Sequence, residues 1–158
     1  MKCTRALVVA CAFTAACGGV DTQKFDAAFK AGKALQAEVQ SSGGLPRSQS
    51  RDRLKEFETE VSALHDRTIG RRESDALQAY TEAAEAYREF LHFRGLELEG
   101  ENHQIQLKGT NIEIATRYKL PVDTRNGSKW VNGAQAITIL LQAAEQHLEN
   151  GNRIVSGK

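Results

Sequence analysis

Glu89 and His92 stand three residues apart in "EFLH", a spacing that puts a carboxylate and an imidazole on one face of a helix. Helical bundles use two such Glu-x-x-His pairs, with two further glutamates, to hold a pair of metal ions. No second pair exists, because the residues three before His65, His103 and His147 are Ser62, Gly100 and Ala144. Glu89 and His92 are thus candidate metal ligands for half a site, and no cofactor is expected. The H-E-x-x-H and G-x-S-x-G motifs and the phosphate-binding glycine loops are absent, so no catalytic residue is assigned. His65 beside Asp66 imitates a base and its orienting carboxylate, but adjacent helix residues point in different directions. They read as a surface pair.

Two other groups bear on binding. Arg67, Arg71 and Arg72 form a basic cluster, yet Asp66, Glu73 and Asp75 stand among them, which suits a solvated turn better than a phosphate site. Trp130, Tyr118 and the chain between them can form an aromatic recognition surface. The favoured alternative is that Trp130 closes the end of the core, since large aromatics are mostly buried.

Cys17 is the one thiol with an evident use. Lys2 and Arg5 precede the uncharged run from Ala6 to Ala16, a basic region ahead of a short apolar one, as in an export signal. The run is too short to cross a bilayer, which takes about 20 apolar residues. At its end, Thr14, Ala15, Ala16 and Cys17 resemble the lipobox of bacterial lipoprotein precursors. The resemblance covers only this leader. It implies cleavage before Cys17, lipidation of its sulfur and, with Gly18 following, sorting to the outer membrane of a cell that has one. Small side chains at Ala15 and Ala16 suit a narrow peptidase site, and a thiolate is the group that accepts the lipid. An ordinary secretory peptide cut after Ala16 is the competing reading.

Removing residues 1–16 leaves a chain of single-domain size. Lys2 and Arg5 leave with the leader, so the 21 basic and 20 acidic side chains of the full chain become nearly balanced. Such a balance gives no broad electrostatic footprint for nucleic acid. Cys3 and Cys11 leave as well, and a lipidated Cys17 cannot pair, so no internal disulfide is expected. Stability must then come from packing. Several acyl chains on one cysteine hold a protein firmly where one chain holds it marginally.

The elements behind the anchor read as helices. Phe25, Ala28, Gly32, Leu35 and Val39 alternate steps of three and four, with Asp21 or Thr22 as cap. "SSGGLP" from Ser41 to Pro46 interrupts, and a second helix carries Leu54, Phe57, Val61 and Leu64 with Ser48 or Ser50 as cap. After a turn at Gly70, Leu77, Ala84, Leu91 and Leu98 recur every seven residues with Tyr80 and Tyr87 between, a bundle seam. Gly95, Gly100 and Gly109 predict a break near Gly100.

From His103 to Ala115 two readings compete. Ile105, Leu107, Ile112 and Ile114 alternate as in a hairpin, while Thr110 and Glu113 have capping-box spacing for the preferred helix. Lys119 to Lys129 reads as a loop with an Asn126-Gly127 turn, and the last helix is expected from Trp130 to Asn150-Gly151. The expected fold is all-α, an antiparallel bundle of about four main helices with a less regular segment at 100–118. The expected layout is a leader (1–16), a lipidated cysteine and tether (17–22), a bundle (23–150) and a short C-terminal tail (151–158).

These features point to an exported lipoprotein on the periplasmic side of an envelope membrane, held by lipid on Cys17. Its expected role is binding or structural, with an envelope protein as the expected partner. A metal-dependent helical enzyme and a soluble periplasmic small-molecule binder are the alternatives.

Overall fold

The computed structural model describes residues 22–45, 48–67 and 70–157. Cys17, Asp21 and Pro46, on which the anchor, one cap and part of the first breaker depend, lie outside them. The fold is mostly helical, and among the described residues one small sheet interrupts five helices.

Helix α1, Thr22–Ser41, buries Phe25, Ala28, Ala31, Gly32, Leu35 and Val39 along one face. It ends where Gly43 takes a φ of 63° and the Gly44 N–H reaches the Val39 carbonyl at 2.8 Å. A left-handed residue two steps past the helix lets the chain turn back and satisfies a terminal carbonyl. Helix α2, Ser48–Ser62, buries Leu54, Phe57 and Val61. Leu64 is buried just beyond its end. Ser50 is not a cap: it lies within α2, buried, and its hydroxyl donates to the Leu45 carbonyl at 3.3 Å.

Helix α3, Arg71–Glu99, is the longest element, and its alanines at 76, 79, 83, 84 and 86 are buried. Small side chains on several sides let neighbours approach it from more than one direction. Leu98 departs from the expected seam and is 49% exposed, while Glu97 is buried in its place. A strict seven-residue step drifts by about 20° per heptad on a straight helix, so three heptads carry the series off the packed face. Gly100 ends α3 as expected; a Cβ there would stand 2.6 Å from the Gln104 carbonyl oxygen. Asn102 and His103, with φ of 52° and 56°, then fold the chain back.

The segment 103–115 combines both readings. Strand β1, Gln104–Gln106, is followed by helix α4, Thr110–Arg117. Thr110 is no capping residue, because Gly109 holds the cap position at φ 54° and no side chain caps the helix. The expected loop from Lys119 to Lys129 is largely strand. Strand β2, Val122–Arg125, turns through Asn126-Gly127 (φ 49° and 75°) into strand β3, Ser128–Asn132. Positive φ at both turn residues matches the twist of a two-residue hairpin. The strands are ordered β1-β3-β2, all antiparallel.

Trp130 therefore lies in a strand, and the last helix, α5, starts at Gly133. The Asn132 side chain caps it, accepting from the Gln135 N–H at 3.0 Å. Helix α5 also passes the expected stop at Asn150-Gly151 and runs to Ser156, so residues 151–156 are helix rather than tail. Gly151 is a packing position, where a Cβ would stand 3.0 Å from the Tyr80 ring. Tyr80 meets Gly151 and Glu97 meets Gly133, so α3 and α5 run antiparallel. On the other side of α5, Lys33 pairs with Glu149 at 3.0 Å and Gln40 donates to Glu145 at 3.2 Å, which makes α1 antiparallel to α5 as well. The Phe25 and Tyr80 rings stack at 6.0 Å between α1 and α3.

Candidate functional site

The sheet has two different faces because strand side chains alternate. Ile105 of β1 lies opposite Val131 of β3, and both are buried. The opposite face is polar. There Gln106 pairs with Trp130, Trp130 with Asp123, and Ser128 with Arg125. This outer face floors an open groove of about 740 Å³, walled by Leu96, Glu99 and Gly100 at the end of α3 and by Asn102 in the turn beyond. Arg125 and Asn126 form the far rim.

The polar groups of the groove are largely uncommitted. Arg125 is held by Asp123 at 3.0 Å. Among the described residues, the side chains of Asn102, Gln104, Gln106, Asn126, Ser128 and Trp130 make no hydrogen bond to the rest of the chain. Four amides, a hydroxyl and an indole N–H thus converge on one space with their donors and acceptors open to a ligand.

A buried carboxylate positions the wall. Glu97, only 4% exposed, accepts from Arg94 within α3 and meets the His103 Nδ1 at 2.6 Å. It also lies against Gly133, so one side chain ties the end of α3, the turn after it and the start of α5. A buried charge held by two partners is costly to disturb, which suits a fixed support.

The candidates from the sequence are distributed differently. Glu89 pairs with Arg117 at 3.1 Å, and the His92 Nε2 meets the Asn111 Oδ1 at 2.9 Å. Both therefore tie α3 to α4. Tyr118 is half-buried beside Glu89; burial and then that carboxylate raise its hydroxyl pKa. Arg117 is likewise pushed up, chiefly by Glu89. Among the described residues, no three His, Cys, Asp or Glu side chains gather as a metal-holding group.

His65 and Asp66 are exposed in a short turn. Arg72 donates to the Ile154 carbonyl at 2.8 Å, and Arg71 beside it is likewise exposed. Trp130 does not close the core, because β3 sends Val131 inward and Trp130 to the groove. Tyr118 does not join it there.

Sequence reasoning missed Asn102, Gln104, Gln106, Arg125 and Ser128. The signal was short but present in one strand: Gln104-Ile105-Gln106-Leu107 alternates polar with apolar groups, whereas Lys129 breaks such a pattern in Ser128-Lys129-Trp130-Val131. Among the described residues no helix is long and apolar enough to cross a membrane. Compared with protein families, curated proteins and solved structures, the chain matches none of them.

Proposed function

We propose that this chain is an exported lipoprotein, moored by acyl chains on Cys17, whose helical body serves binding rather than catalysis in the cell envelope. The observation that carries the binding role is the convergence of uncommitted amide, hydroxyl and indole groups in the groove floored by Trp130 and its neighbours on the sheet. The mooring rests on the basic and apolar leader that ends in small residues and a cysteine. In this reading α1, α2, α3 and α5 form an antiparallel four-helix bundle, and the sheet with α4 is a cap at one end that bears the groove. A tether of about 3.3 Å per extended residue from Gly18 to Asp21, ahead of α1, keeps the body within roughly 15 Å of the lipid. The destination is the outer membrane, on its periplasmic side, where the cell has one.

Two measurements test the reading. Cells fed labelled palmitate should yield labelled wild-type protein in the membrane fraction, and Cys17→Ser should lose the label. A wild-type chain that is unlabelled and fully soluble removes the mooring.

A further inference from the structure

We propose that the groove on the outer face of the sheet binds a neutral glycan, with Trp130 packed against a sugar ring and Gln104 and Gln106 hydrogen-bonding its hydroxyls. The proposal rests on the binding role above and names its ligand class. The volume of about 740 Å³ is within the range of roughly 300–1,000 Å³ usual for small-molecule sites. The groove is open along its length, so it suits a short run of linked rings better than an enclosed metabolite.

The chemistry selects the class. An amide side chain offers both a carbonyl acceptor and N–H donors, and four amides line this groove. Such a lining is matched by a ligand whose own groups both donate and accept, as hydroxyls do. A phosphate or carboxylate would call for unspent cations, yet Arg125 is already paired with Asp123, and Glu99 adds a negative charge to the wall. A purely apolar ligand would strip water from the amides without replacing their hydrogen bonds.

Trp130 supplies the complementary surface, a flat apolar face with a single N–H donor. A pyranose has the same dual character, with C–H groups on a face and hydroxyls around its edge. The register places Trp130 between Gln106 and Asp123 on the two neighbouring strands, so a ring stacked on the indole has polar groups on both sides.

Trp130 is the only tryptophan of the chain, so its emission reports the groove directly. The experiment titrates the purified full-length protein in mild detergent with triacetylchitotriose, maltotriose and mannotriose, with inorganic phosphate and an unstructured peptide as comparisons. At least one trisaccharide should shift Trp130 emission saturably. Gln104→Ala and Gln106→Ala, with helical circular dichroism intact, should each weaken that binding about tenfold, the scale of one lost hydrogen bond. Trp130→Ala should abolish binding by calorimetry.

No saturable shift with any of the three sugars overturns the proposal. Equal affinity in both glutamine variants also overturns it. Saturation by the phosphate or the peptide alone overturns the glycan while leaving the groove a binding site, and no response to any probe removes both. Palmitate labelling is read separately and is unaffected by any of these outcomes.

Discussion

Glu97 occupies the space that a side chain on Gly133 would fill: a Cβ there would overlap the Glu97 Cγ and stand 2.9 Å from the His103 carbonyl oxygen. The first residue of α5 is therefore fixed by the last turn of α3. Replacing a helical glycine by alanine ordinarily stabilises by about 1 kcal/mol. Here overlap with a buried side chain and a backbone oxygen opposes that gain. Gly133→Ala should lose about 2 kcal/mol in urea unfolding, the scale of overpacking. Unchanged or increased stability would show that Glu97 is free to move aside.

Glu97→Ala tests the same junction from the other side. It leaves Arg94 and His103 without their shared carboxylate, and the buried Arg94 Nε already lacks a hydrogen-bond partner among the described residues. A loss of about 2 to 3 kcal/mol is expected, since hydrogen bonds to charged groups are among the stronger ones. Trp130 emission should move to the red before global unfolding, because the groove wall loosens first. Emission that changes only with the global transition would uncouple Glu97 from the groove.

The helices were legible where one face carries the packing. Phe25 to Val39 declare α1, and Tyr80, Ala84, Tyr87 and Leu91 declare the packed part of α3. The sheet was hidden for a physical reason. Strands of three to five residues carry at most one or two alternations, too few to tell a strand from its surroundings, and β1 is held by β3 across the whole of α4. Asn126-Gly127 announced a turn, but the hairpin around it depends on pairing that no local pattern encodes. The groove was less legible still. Asn102 in the turn after α3 and Gln106 in β1 share one space with Ser128 of β3 only because β1 pairs with β3, whereas Glu89 and His92, at a spacing that suggested chemistry, support α4 instead.

That last arrangement makes a prediction about metal. If Glu89 and His92 serve as ties to Arg117 and Asn111, chelation by EDTA should leave the thermal transition unchanged. His92→Ala should lower stability by about 0.5 kcal/mol, the scale of a single exposed polar contact. Its hydrogen-exchange protection should fall in α4 while the amides of α3 and α5 stay protected. Stoichiometric Fe, Mn or Zn in the purified protein, lost on His92→Ala, would restore the metal reading.

Tyr80, Tyr87 and Tyr118 are the only three tyrosines of the chain, and all have raised pKa values. For Tyr80 and Tyr87 the largest cause is burial, followed by nearby carboxylates of α5, Glu149 for Tyr80 and Glu145 for Tyr87. An unfolded chain releases the phenolic proton near pH 10, whereas the folded chain keeps it, so the native state binds more protons and stability falls as pH rises above about 10. The folded protein should therefore show no tyrosinate absorbance step near pH 10, and the step should appear together with loss of helical circular dichroism at higher pH. In urea the step should return to about 10. Among the described residues neither the Tyr80 nor the Tyr87 hydroxyl has a hydrogen-bond partner. Tyr80→Phe and Tyr87→Phe should then be neutral or stabilising at pH 7, since each removes a buried polar group that is unsatisfied, and each should extend the folded range to higher pH. A tyrosinate step near pH 10 in protein that retains its helical signal would show that at least one of these rings is open to solvent.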